Sequence, residues 1–309
     1  MGADLGAGTL FAEASRALGE DLAAVVHGGP ADRLTRTLYA QPAVVAVSLA
    51  ALRALRAAAA ERGFGLDTVA VAGHSVGELA AMAAAGAFDE ASILRLVVER
   101  ARAMERACVE VQGGMSAVLG LETDAVEHAC RTATAATGEV VEPANYNAPN
   151  QVVIAGTVAA LHAAGMEAQR LGARGVVALK VAGPFHSSLM RGAAEAFAPF
   201  VHAGQVISPR TPVVVNVSAR ETRDPATLRE ELCLQVAQPV RWAQTMARCV
   251  ELGAEAFIEV GPGQVLSGLA RRAARGVPTY NVQDRASLEA TVEALAGMHA
   301  APVAQRGGM

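Results

Sequence analysis

The chain has 309 residues, a formal net charge of −4 at pH 7, and 18% charged against 52% hydrophobic residues. That length and apolar content suit a large domain, alone or carrying a smaller one, and exclude a disordered chain. The mildly acidic balance leaves no footprint for general nucleic-acid binding.

In chain order, residues 42–60 read as a long helix, apolar nearly all round and hence buried, with Pro42 in its first turn. Residues 68–72 (TVAVA) form a β-rich run without polar alternation, as expected of a central parallel strand. A tight glycine-flanked turn follows, then a helix from about 76 that stops at Gly86, and an amphipathic helix from about 89 to 108. The segment 109–183 reads as strand (115–119), helix (123–137), two strands (140–145 and 151–155), helix (158–171) and strand (175–180). That βαββαβ order is the ferredoxin-like split motif. The α/β pattern resumes with strands near 212–216, 256–260 and 278–282, and the last dozen residues read as a frayed tail. The expected fold is α/β: an α/β-hydrolase-like core with a central parallel sheet (1–108 and 184–309), interrupted by a ferredoxin-like small domain (109–183).

Gly73-His74-Ser75-Val76-Gly77 carries the clearest chemistry. A G-x-S-x-G pentapeptide between a strand and a helix is a nucleophile elbow: the flanking glycines permit a tight turn and close backbone approach, and Oγ stands free at the helix N-terminus. There the Val76 N–H and the helix dipole favour a developing oxyanion. A serine nucleophile needs a base. Five of the seven histidines fall on polar helix faces, loops or the tail, and His74 inside the elbow reads as structural. His186, in GPFHSS where the small domain hands back to the large one, is either that base or a solvated loop histidine. Arg100, read alone, is a helix-face arginine.

Five segments taken together are more specific. GHSVGELAAMAAAGA, ANYNAPNQVVIAG, GPFHSSLM, QPVRW and IEVGPGQVLSGL, in this order and spacing, resemble the malonyl-CoA:acyl carrier protein transacylase family, whose fold also serves as the acyltransferase domain of polyketide synthases. The likeness runs from about Phe11 to Arg272. It implies a ping-pong transfer of malonyl from coenzyme A to a serine, and then to the phosphopantetheine thiol of an acyl carrier protein, in fatty-acid or polyketide synthesis. Carried over by position, Ser75 matches the acylated serine and His186 its general base. The backbone carbonyl of Gln235 matches the group that orients the histidine, and Val76 N–H belongs to the oxyanion hole. Arg100 matches the arginine that grips the malonyl carboxylate, which suits a planar, always-charged fork. Gln41 matches a pocket glutamine, Asn145 and Asn147 match asparagines near the thioester channel, and Phe185 resembles the malonyl-selective pattern because its ring leaves little room for an α-methyl branch. No metal or prosthetic group is implied, and malonyl-CoA enters as substrate.

The chain departs from the family in one place. The family opens with a strand running into a Gly-Gln-Gly-Ser-Gln loop that supplies the second oxyanion N–H. Met1-Gly2-Ala3-Asp4-Leu5 reads as starting past that loop, and Gly6-Ala7-Gly8 carries no glutamine. A start assigned too late or a truncated chain is one expectation, and a short, impaired form is the other. The alternatives to a malonyltransferase are accordingly a serine thioesterase or hydrolase on the same elbow and an impaired carrier-binding homologue. Arg271, Arg272 and Arg275 form either a rim that meets an acidic carrier protein or a solvated helix face. The cysteines Cys108, Cys130, Cys233 and Cys249 lack CxxC or zinc-like spacing, as free thiols in a reducing compartment do. No uninterrupted apolar run reaches 18 residues and no signal-peptide pattern opens the chain, so a soluble cytoplasmic protein is expected.

Overall fold

In a computed structural model, residues 6–300 are described, and helices alternate with short strands through them. The start at residues 1–5 and most of the expected tail, residues 301–309, lie outside the described residues. Where the tail was expected to begin, the helix Arg285–Ala300 continues to residue 300.

The long apolar helix spans Thr37–Glu61, so Pro42 sits inside it rather than in its first turn. Proline there removes one helical hydrogen bond, and burial of Tyr39, Val45, Ala46, Leu49 and Leu55 opposes that loss. By length and composition this helix could cross a membrane, yet half of its apolar window is buried within the protein. It packs against the helices Ala7–Leu18, Gly77–Ala85 and Glu90–Glu110. Leucine, valine and alanine from these helices make the largest core cluster.

Parallel pairing occurs as the β-rich runs suggested. Val71–Ala72 pairs in parallel with Val213–Val214, which also pairs antiparallel with Glu221–Thr222, and Phe257–Val260 pairs in parallel with Thr279–Val282. The difference is that these are two separate sheets, with no ladder joining them among the described residues. The strands expected over 68–72 and 212–216 shrink to two residues each. One physical reason is visible at Asn216, which donates its backbone N–H to the Glu78 carboxyl at 2.8 Å instead of to a neighbouring strand.

A four-stranded antiparallel sheet orders Val141–Ala148, Gln151–Thr157, Gly113–Leu119 and Gly175–Ala178 side by side. In its own chain order this is second, third, first, fourth, the ferredoxin-like arrangement. Helices Thr123–Thr137 and Val158–Arg170 cover one face through Val118, Val126, Cys130, Ile154 and Ala164. Met115, Ala117, Ala144, Val153 and Ala155 form the other face, against which Phe185 packs. The strand Val141–Ala148 reaches into the large part of the molecule. Val240 donates its N–H to the Ala144 carbonyl and accepts from Tyr146 N–H, both at 2.9 Å. This stitch brings Asn145 and Asn147 beside the segment that follows Gln235.

Candidate active site

The elbow is built as its local sequence dictates. Strand Val71–Ala72 ends at Gly73, and the helix Gly77–Ala85 starts two residues after Ser75, with Val76 as its N-cap. Ser75 itself adopts a left-handed backbone with φ 51°, a strained conformation that a non-glycine residue keeps only where its surroundings impose it. The two pentapeptide glycines differ. A Cβ on Gly73 would overlap the carbonyl of Gly77 and the amide of Glu78, whereas one on Gly77 would meet open space. Close approach therefore demands only the first glycine. The neighbouring amides are engaged, Ser75 N–H to Asn216 Oδ1 at 2.8 Å and Gly77 N–H to the His74 carbonyl at 2.9 Å. The Val76 N–H lies between them at the opening of the helix.

Ser75 Oγ lies 2.7 Å from His186 Nε2, and His186 Nδ1 lies 2.9 Å from the backbone carbonyl of Gln235. A carbonyl only accepts, so Nδ1 carries the proton and Nε2 is left to accept from the serine hydroxyl. His186 is 3% exposed and also has positive φ, 60°. Burial, followed by the Arg100 guanidinium, lowers its pKa to about 3. The imidazole is therefore neutral near pH 7, the state a general base requires.

Arg100, on the helix Glu90–Glu110, is 1% exposed. It donates from Nη1 to Gln41 Oε1, and from Nη2 to Gln235 Oε1 at 2.7 Å and to Ser75 Oγ at 3.2 Å. Burial lowers its pKa to about 10 against the opposing pull of Glu78, which leaves it charged at neutral pH. Its Nε has no hydrogen-bond partner among the described residues. Gln41 is fixed in turn by Nε2 donating to Thr37 Oγ1 at 2.7 Å. A desolvated cation held by two neutral amides beside a serine hydroxyl is chemically suited to receive a carboxylate.

The structure thus brings Ser75, His186, Gln235, Arg100 and Gln41 into one hydrogen-bonded group, with Val76 at its edge. Asn147 meets the elbow from the small sheet, its Oδ1 2.8 Å from His74 Nε2, and His74 packs edge-on against Trp242. Buried Asn145 bridges to Val240. Phe185 is half-buried between the large core and the small sheet. Of the arginine cluster, Arg272 donates to Gln151 on the small sheet. Two polar residues of the site went unassigned in the sequence. Asn216 spans the elbow, donating from Nδ2 to the Gly73 carbonyl at 2.7 Å as well as accepting from Ser75. Glu78, three residues after Ser75, is fully buried behind it. The one local sign of Asn216 was a polar residue closing the apolar run Val213 to Val215.

A family model described as an acyl transferase domain matches residues 6–301, nearly the whole chain, and sets the class. The chain is 38% identical over 285 residues to the malonyl CoA-acyl carrier protein transacylase of Haemophilus influenzae, covering 92% of this chain and 89% of that protein. Among solved structures it resembles the malonyl CoA-acyl carrier protein transacylase of Coxiella burnetii, with TM-score 0.87, 34% identity and coverage of 94% of this chain and 90% of that one. It also resembles a malonyl-transacylase solved in complex with its type II PKS acyl-carrier protein, with TM-score 0.87, 36% identity and coverage of 93% and 91%. The chain therefore belongs to the malonyl-CoA:acyl carrier protein transacylase family.

Proposed function

We propose that this chain transfers the malonyl group of malonyl-CoA to the phosphopantetheine thiol of an acyl carrier protein through a malonyl ester on Ser75. His186 takes the Ser75 hydroxyl proton as Oγ attacks the thioester carbonyl, and the Val76 N–H faces the resulting oxyanion. Collapse expels the coenzyme A thiolate, which takes the proton back from His186. In the second half, the carrier thiol gives its proton to His186 and attacks the ester, and the same proton returns to Ser75. The Gln235 carbonyl holds the imidazole in the tautomer that makes both directions work. No metal or prosthetic group enters the scheme.

The observation that carries this reading is the buried Arg100 guanidinium 3.2 Å from Ser75 Oγ. An enzyme that hydrolyses uncharged acyl groups gains nothing from a desolvated cation there, whereas a malonyl ester places a carboxylate one short spacer from the serine. Gln41 orients that cation. Asn145, whose buried Nδ2 has no partner among the described residues, and Asn147 are assigned to the thioester channel. Phe185 is assigned to exclude an α-methyl branch, a methylene-scale discrimination of about 1–3 kcal/mol. We assign the reaction to the cytoplasm, in line with four free thiols.

Incubation with labelled malonyl-CoA and holo carrier protein, with methylmalonyl-CoA as competitor, tests the proposal. Label on Ser75 followed by malonyl carrier protein is the expected result, with malonyl outcompeting methylmalonyl. Free malonate as the main product would make the chain a thioesterase, and carrier binding without serine labelling would make it a non-catalytic binder. Ser75→Ala is expected to abolish labelling, and undiminished transfer by that variant would overturn the assignment.

A further inference from the structure

Glu78 takes no part in the relay just described, yet two branches of the site end on its carboxyl group. It lies in the first turn of the helix Gly77–Ala85, three residues after Ser75, with no solvent exposure. Oε1 accepts the backbone N–H of Asn216 at 2.8 Å, and Oε2 accepts from Gln235 Nε2. The Asn216 side chain holds both sides of the elbow, accepting from Ser75 N–H and donating to the Gly73 carbonyl. Gln235 does three further things: its Nε2 also donates to the Ser75 carbonyl at 2.8 Å, its Oε1 accepts from Arg100, and its backbone carbonyl aims His186.

We infer that Glu78 is a positioning residue that fixes the serine elbow, through Asn216, and the histidine and arginine, through Gln235, in a single mutual geometry. This rests on the reading of Ser75 and His186 as the acyl-transfer pair. Two donors, 138 and 157 residues along the chain from Glu78, reach different oxygens of its side chain, and a carboxylate offers an acceptor to each. A glutamine would present one oxygen and one NH2, so one donor would face another donor. An acid serving only the helix dipole has no need to be buried, since that interaction is available at the surface. Burial is costly for a carboxyl group. It raises the Glu78 pKa, and the Asn216 and Gln235 hydrogen bonds and the Arg100 charge oppose that rise in favour of the carboxylate that accepts from both, while Glu231 adds to it. A group kept at that cost and bonded at both oxygens to site residues is accounted for by alignment of the site.

The test is Glu78→Gln in the full chain, read by single-turnover labelling of Ser75 with malonyl-CoA and by steady-state transfer to holo carrier protein. Misplacement of reacting groups by about 1 Å costs on the order of 10²-fold, so the labelling rate and kcat are expected to fall by that order. The KM for malonyl-CoA is expected to stay within about threefold, because Gln41 still holds Arg100, and the variant should remain folded by circular dichroism. Combining Glu78→Gln with Asn216→Ala should cost no more than the worse single change, as expected of residues acting as one unit. If Glu78→Gln does not fold, Glu78→Asp, which keeps both oxygens but withdraws them by one methylene, is expected to show the same fall in kcat. A folded variant with a wild-type labelling rate, or with its loss confined to KM, overturns the inference while leaving the functional reading intact. A wild-type protein that never labels Ser75 overturns both.

Discussion

On the proposed reading, replacing Arg100 is expected to separate carboxylate recognition from the acyl-transfer chemistry. Arg100→Met keeps the length of the side chain and removes the charge. In the free protein it leaves the side-chain oxygens of Gln41 and Gln235 without their donor, a cost of about 1–3 kcal/mol for each buried acceptor. Release of a buried guanidinium from its desolvation penalty offsets part of that cost, and the variant is expected to fold. Loss of one partner of a buried charge pair weakens binding by about 2–5 kcal/mol. At about 1.4 kcal/mol per tenfold, kcat/KM for malonyl-CoA should fall by about 30- to 5,000-fold. Acetyl-CoA has no carboxylate to lose, so its rate of Ser75 acylation should fall only by what the Arg100 contacts to Ser75 Oγ and Gln235 and its charge beside His186 contribute, and so by clearly less than the rate with malonyl-CoA. The assay is a burst measurement of Ser75 labelling with each thioester in parallel. Equal losses for malonyl and acetyl groups would refute the carboxylate argument and make Arg100 a structural support of the serine.

The elbow glycines should behave unequally. Gly73→Ala is expected to fold poorly and to lose Ser75 labelling, because its Cβ would run into backbone. Gly77→Ala should label normally and gain up to about 1 kcal/mol in denaturant melts from helix propensity. Full labelling by Gly73→Ala would refute the packing argument. His186 should also make the fold acid-sensitive. Its pKa is lowered from 6.5 to about 3 in the folded protein, so the unfolded chain binds a proton that the folded one refuses. That stability is fully present above pH 6.5 and is lost as pH falls toward 3, with about 2 kcal/mol gone by pH 5. Urea melts at pH 7 and pH 5 should show wild type losing that much more than His186→Gln, and parallel losses would contradict it.

The sequence by itself determined what short-range chemistry can encode. Strand, turn and helix around Ser75 follow from a run of β-formers, a glycine with no room for a side chain and a helix stopped by Gly86. The ferredoxin-like unit follows from the order of its apolar runs, and its helix Thr123–Thr137 sits where periodicity put it. His186, Arg100 and Gln235 were not readable in this way. The junction position of His186 left it either the base or a solvated loop histidine, a helix-face arginine has no local mark of function, and the resemblance of five ordered segments is what assigned a role to both. Tertiary structure alone decided how they meet. It set the 2.7 Å contact between residues 75 and 186, the burial that keeps the histidine neutral, and the packing that leaves a guanidinium in the dry interior held by two amides. It also shortened the strand expected over 212–216, by turning Asn216 away from the sheet toward Glu78. The physical reason is the same in each case. Backbone propensity acts between near neighbours, whereas desolvation and buried hydrogen bonds depend on which distant segments close around a group.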